Sequence, residues 1–124
     1  MEYFLDTANL DDIKKINDIF PIKGVTTNPS IIAKENRNFK DIINDIFKII
    51  GKEKIVHAQA VGDTAELLIK EVNLLRDTFG ENIYTKIPVT FEGIKAMKIL
   101  TKDGSVWYMT YNMKNKVLAN KKIR

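Results

Sequence analysis

Cysteine is absent from the 124 residues, which excludes disulfides and thiol chemistry. Histidine occurs once, at His57, so no Cys/His cluster of a structural zinc site can be assembled. No apolar run approaches the roughly 18 residues of a transmembrane helix. The opening MEYFLD reads directly as a strand with an acidic residue at position 2, not as a signal peptide. Together these absences make a cytoplasmic location the expectation. No glycine-rich phosphate loop, neither G-x-G-x-x-G nor GxxxxGK before Ser or Thr, follows any strand-like run, which tilts the reading away from nucleotide-binding sheets.

Acidic residues are missing from the C-terminal stretch. Met113–Arg124 holds Lys114, Lys116, Lys121, Lys122 and Arg124 and no Asp or Glu. The preceding residues carry 15 basic against 16 acidic groups, so the net +4 and the pI near 9.2 come from the tail. A basic tail can touch nucleic acid. A nearly neutral body offers no matching basic face, so a solvated end is the preferred reading and nucleic acid is not the expected partner.

What is present is the patterning of a globular domain, 44% hydrophobic. Short apolar runs alternate with amphipathic ones. Tyr3-Phe4-Leu5 reads as a strand, followed by a helix with Leu10, Ile13, Ile16 and Phe20 at helical spacing, started by Asn9 and stopped by Pro21. Ile22–Thr26 is a second strand. Phe39, Ile42, Ile43, Ile46, Phe47 and Ile50 define a helix between an Asn38 cap and Gly51. Lys54–Gln59 is a third strand. Asp63 and Glu66 resemble a capping box for a helix that turns Ala65, Leu68, Ile69, Val72, Leu75 and Phe79 to one face. The fourth strand lies in IYTKIPVT (83–90). Thr90 then begins a helix with Ile94, Met97 and Leu100 inward, ending near Gly104. SVWYMTY (105–111) can form a fifth strand, with Trp107, Tyr108 and Tyr111 in ordinary packing.

This βα alternation with short loops predicts a parallel sheet with right-handed crossovers. Both a doubly wound sheet and part of a (β/α)8 barrel accept it. In either, ligands meet the C-terminal ends of the strands. Those ends present Asp6, then Thr26, Thr27 and Asn28 within GVTTNPS, then Gln59, with Lys86 on the fourth strand. Each residue also has a structural explanation. Asp6 can bond a neighbouring loop, Asn28 before Pro29 can cap a helix, and Gln59 can satisfy backbone groups. Lys86 is the hardest to explain that way. Alternation puts it on one face with Tyr84, and a charged amine on an interior strand is costly. It can snorkel to solvent. Alternatively it is an amine whose pKa is lowered from about 10.4 by burial, a neutral nucleophile for a carbonyl.

The segments FLDTANLDDIKKI, GVTTNPSIIAKE, AQAVG and TKIPVTFEGIKAMKIL together resemble the transaldolase family, and most nearly its small subgroup that includes fructose-6-phosphate aldolase. The resemblance runs from Met1 to about Gly104. It implies the N-terminal half of a TIM (β/α)8 barrel over residues 1–104 and a class I aldolase chemistry on sugar phosphates. It implies Lys86 as the Schiff-base lysine and Asp6 as the catalytic acid, with Asn28, Thr26 and Gln59 around the substrate. Gln59 resembles the aldolase subgroup, since ordinary transaldolases tend to carry Glu there. No metal or organic cofactor is implied, because the amine itself supplies the electron sink.

After Gly104 the chain departs from the family pattern. Residues 105–124 read as a divergent basic tail, a possible strand plus a short helix. Later strands of the family, with their phosphate-binding groups, have no counterpart in it. Four strands of an eight-stranded barrel leave open edges and an uncovered apolar face, so the expectation is a homo-oligomer, with an inactive half-barrel as the alternative to a working enzyme.

Overall fold

In the computed structural model β1 (Tyr3–Asp6) is followed by α1 (Leu10–Ile19), β2 (Ile22–Thr26), a short α2 (Pro29–Ala33), α3 (Phe39–Ile50) and β3 (Ile55–Gln59). Then come α4 (Ala65–Phe79), β4 (Ile83–Pro88), α5 (Phe91–Leu100), β5 (Val106–Tyr111) and β6 (Leu118–Ile123). The structure describes residues 2–100, 106–111 and 118–123, the last two stretches by their backbone. Strands β1 to β4 alternate with helices in an α/β arrangement consistent with part of a (β/α)8 barrel. Among the described residues no helix is long and apolar enough to cross a membrane.

Two compact units are present, Met1–Ala58 and Gln59–Arg124. The division falls inside β3. β5 pairs along β4 within the second unit.

In the first unit β2 runs parallel to both β1 and β3, with Val25 opposite Leu5 and Val56. Local signals start the helices. Asn9 accepts the Asp12 N–H at 3.0 Å and Asn38 accepts the Lys40 N–H at 2.9 Å, so each caps orphan amides of the first turn. α3 turns Ile42, Ile43, Ile46, Phe47 and Ile50 inward, all buried. α1 contributes less. Ile13 is its one buried residue, while Phe20 stands outside the helix as its extended C-cap and is exposed, contrary to its helical spacing. Pro21 explains this, because the residue before proline is pushed out of the helical region.

In the second unit Ala60, Ala65, Leu68, Val72, Ile87, Ala96 and Leu100 form one buried cluster. It joins β4 to the inner faces of α4 and α5. Two details differ from the sequence reading. The N-cap of α4 is Thr64, whose hydroxyl accepts the Leu67 N–H at 3.2 Å, and not Asp63. Thr64 stands one residue before the first helical turn, the position from which a side chain reaches an amide three residues on. Ile94 is 55% exposed. The inward stripe of α5 runs through Gly93, Ala96 and Leu100, with Met97 packed against the cluster.

The tail also differs. β4 pairs parallel with β5, and β6 pairs antiparallel with β5. Where a short helix was expected, Leu118–Ile123 is therefore a strand. Pairing satisfies the backbone N–H and C=O groups that β5 would otherwise leave open along its outer edge. The packing of Trp107, Tyr108 and Tyr111, the helix end near Gly104 and the side chains of the basic tail lie outside the described residues.

Before α3, Arg37 forms an ion pair with Asp45, which Lys48 approaches to 3.9 Å. The hydrogen bond from Arg37 holds the Asp45 carboxyl below its ordinary range. A lowered folded-state pKa stabilises the fold above the unfolded value near 4, and that contribution fades as pH falls through the folded value. Asp45→Asn is expected to lower stability slightly at pH 7 and to flatten its decline in acid. Urea melts at pH 7 and pH 3 measure this, and an unchanged acid slope would contradict it.

Candidate functional site

The strand ends of the two units carry the residues singled out in the sequence. In the first unit Asp6 closes β1 and Thr26 closes β2, opposite one another in the parallel register. That register brings the Thr26 hydroxyl within 2.8 Å of Asp6 Oδ1, to which it donates. The carboxylate is exposed while Thr26 is half-buried, so Asp6 is oriented by a fixed donor and remains open to a further partner. Thr27 is buried. Its hydroxyl and its N–H both point at the His57 carbonyl oxygen, at 2.7 and 2.9 Å, which extends the pairing of β2 with β3 beyond the last strand residue.

Asn28 is the N-cap of α2. Its Oδ1 accepts the Ile31 N–H at 3.0 Å, and Pro29 occupies the first helical turn. The capping role weighed from the sequence is thus what its carbonyl oxygen performs. The NH2 end of the same amide is the half able to donate to a ligand.

In the second unit Lys86 sits in the middle of β4, 9% exposed. Ile87 belongs to the cluster with α4 and α5, so strand alternation turns Lys86 and Tyr84 to the opposite face. Burial holds the Tyr84 phenol above its ordinary pKa. Gln59 is joined to this strand through its neighbour: the Ala60 N–H donates to the Lys86 carbonyl at 3.0 Å. Gln59 Oε1 is buried and has no hydrogen-bond partner among the described residues. A buried acceptor left unmet costs about 1–3 kcal/mol, which a donor on a bound ligand would recover.

Beyond these strand ends lies an open groove of about 590 Å³. Gln59, Gly62 and Asp63 line one side, and Pro88, Thr90 and Glu92 the other. Lys86 does not line it, but Pro88, two residues along the same strand, does. The turn on that side is tight. Thr90 N–H donates to Pro88 O at 2.9 Å, and Gly93 N–H to Thr90 Oγ1 at 2.9 Å. The glycines of GVTTNPS and KIPVTFEG have a packing explanation. A Cβ on Gly24 would stand 2.1 Å from the Ile55 carbonyl oxygen, and one on Gly93 would stand 1.9 Å from that of Pro88.

The structure therefore joins Asp6 to Thr26 within one unit and Gln59, by way of Ala60, to Lys86 within the other. Two groups escaped the sequence reading. Glu71 accepts from the amides of Val61 and Gly62, and Glu92 accepts from the amide of Ala65. Each reaches nine or more residues along the chain, so no local period marks it. Glu92 does stand inside KIPVTFEG, and that is the one signal available for it. Among the described residues no cluster of His, Asp and Glu is arranged to hold a metal ion.

The transaldolase/fructose-6-phosphate aldolase family model matches residues 3–115. The chain is 45% identical over 104 residues to a protein of Lachnoclostridium phytofermentans named as a probable transaldolase, covering 84% of this chain and 48% of that one. It is 46% identical over 104 residues to a probable transaldolase of Brachyspira hyodysenteriae, with the same coverage. It is 41% identical over 105 residues to a probable fructose-6-phosphate aldolase of Streptococcus pneumoniae, covering 84% and 47%. The chain spans about half the length of the curated relatives it matches.

Gly93→Ala is expected to destabilise the chain by at least about 2 kcal/mol, since the added carbon meets backbone and not a movable side chain. Urea denaturation measures the loss, and a change below about 0.5 kcal/mol would contradict the close approach at Pro88.

Proposed function

Given that the chain belongs to the transaldolase/fructose-6-phosphate aldolase family, we propose that it carries Schiff-base chemistry on sugar phosphates, with Lys86 as the nucleophile. The observation that carries this reading is the placement of Lys86. Lys86 is almost wholly withdrawn from water, on the strand face turned away from the cluster around Ile87. Carbonyl attack is a role that needs a dehydrated amine. The unmet oxygen of Gln59 on the adjoining strand end adds support.

In the proposed cleavage direction the Lys86 amine adds to the ketose C2 carbonyl, and loss of water leaves an iminium. The C4 hydroxyl gives its proton to Asp6 while the C3–C4 bond breaks. Its electron pair moves through C3 and C2 to the iminium nitrogen, leaving an enamine and releasing an aldehyde. Protonation of the enamine at C3 and hydrolysis free the ketone fragment and restore the amine. Attack of the enamine on an aldehyde runs the same steps in reverse. Asp6 is the proton-transfer group, pre-oriented by Thr26. Asn28 would donate through its NH2 to a substrate oxygen, Thr26 would border the bound sugar, and Gln59 would accept from a substrate hydroxyl. The reading needs no metal or organic cofactor and places the protein in the cytoplasm with sugar metabolism.

A second reading concerns assembly. β1 is an edge strand among the described residues, and its successive residues Tyr3 and Phe4 are 42% and 37% exposed. Apolar side chains on an open edge favour pairing with another chain. Copies of this protein are proposed to cover each other there, with or without turnover.

Two measurements test these readings. Incubation with dihydroxyacetone or fructose 6-phosphate and borohydride should add a stable adduct at Lys86, located by peptide mapping. Lys86→Met should abolish it, and a wild-type chain that takes no label would refute the nucleophile. Light scattering at micromolar concentration should report an oligomer; a monomer with a cooperative melt would refute the assembly.

A further inference from the structure

The segment that follows Gln59 is held more firmly than a loop between strand and helix requires. Its first three amides are all committed. Ala60 N–H donates to Lys86 O at 3.0 Å, Val61 N–H to Glu71 Oε1 at 3.1 Å, and Gly62 N–H to Glu71 Oε2 at 2.8 Å. One carboxylate thus takes two successive amides, one on each oxygen. Bonds to a charged acceptor are stronger than neutral ones, and the two-point grip removes rotation as well as translation. Glu71 is half-buried on α4, and the neighbouring Leu68 and Val72 anchor that helix in the buried cluster.

Gly62 makes the grip possible. A Cβ there would stand 2.8 Å from Leu67 Cβ, 2.9 Å from Glu71 Oε2 and 3.1 Å from Leu68 N, so only glycine lets the loop backbone lie this close to the helix. A second carboxylate steadies the far end, where Glu92 Oε1 accepts the Ala65 N–H at 3.3 Å. The same loop walls the groove that holds Gln59. Rim loops are ordinarily the mobile part of such folds.

We propose that Glu71 is a positioning residue for Gln59. Its carboxylate clamps Val61 and Gly62 so that the segment from Gln59 to Gly62 stays pinned between α4 and the strand carrying Lys86. The Gln59 oxygen then waits in place for a substrate hydroxyl and spends no binding energy on ordering the loop. Glu71 itself touches no substrate. The inference rests on the Schiff-base reading of Lys86.

The test uses the full chain with Glu71→Ala, Glu71→Gln and Gly62→Ala. Two quantities are followed: hydrogen exchange at the Val61 and Gly62 amides, and the borohydride-trapped labelling of Lys86 by dihydroxyacetone, resolved into maximal rate and half-saturation. Glu71→Ala should speed exchange at those two amides while Leu68 and Val72 stay protected, and should slow maximal labelling roughly tenfold. Glu71→Gln keeps one accepting oxygen and should fall between that variant and wild type. Gly62→Ala should match Glu71→Ala, and the double variant should be no worse than either, since both break one contact. Should Glu71→Ala fail to fold, the other two variants carry the comparison. Unchanged exchange at Val61 and Gly62 overturns the clamp. Faster exchange with wild-type labelling overturns its role in positioning. A wild-type chain that takes no label overturns the Schiff-base reading, and with it the role of Glu71, while the exchange data still report whether the clamp exists.

Discussion

β4 cannot bury Thr85 and Ile87 on one face without turning Tyr84 and Lys86 to the other, because side chains alternate along a strand. The helix-facing side is fixed by the cluster around Ile87, which α4 and α5 close with Leu68, Val72, Ala96 and Leu100. The apolar half of the strand thus decides where the amine stands. A slip of one residue would turn Ile87 away from its cluster and drive the lysine into the helix layer, so the register of β4 is strongly defended. The chemistry proposed for Lys86 is therefore inseparable from the packing of the residue beside it.

Within each unit the polar groups are arranged by backbone geometry first and side chains second. Parallel register sets Asp6 beside Thr26, and the extension of β2 past its end sets Thr27 on the His57 carbonyl. In the second unit the same logic runs through Ala60, whose amide reaches the Lys86 carbonyl. Carboxylates borrowed from the helices then secure what the ladder leaves loose. Glu71 gives both oxygens to main-chain amides of the β3–α4 connection, and Glu92 gives Oε1 to the first amide of α4. Buried or half-buried amides need partners, and here those partners come from side chains, which leaves the strand ends themselves available for a ligand.

Much of the fold was legible because its signals are local. Asn9 and Asn38 stand where caps must stand, and the isoleucines of α3 repeat at helical spacing, so both helices follow from short windows of sequence. The misreadings have local causes too. Asp63 and Thr64 are both good capping residues, and only the position of the first turn selects Thr64. Ile94 has the right spacing to face inward, yet the stripe through Gly93 and Ala96 is the one that meets the cluster. Residues 118–123 carry no strong preference, and pairing with β5 makes them a strand. Strand formation there is a property of the neighbour's open edge more than of the segment.

The candidate site divides along the same line. Sequence alone determined that a lysine lies mid-strand among apolar neighbours, that acid, hydroxyl and amide groups cluster at strand ends, and that the motifs around them are those of the transaldolase/fructose-6-phosphate aldolase family. These follow from period, composition and short motifs, each contained within a few residues. Tertiary structure decided the rest: the Thr26 donor on Asp6, the unmet oxygen of Gln59 and the grip of Glu71 on Val61 and Gly62. Most of these contacts join groups nine to thirty residues apart, and no periodicity in a chain encodes which distant carboxylate will meet which amide until the layers have packed.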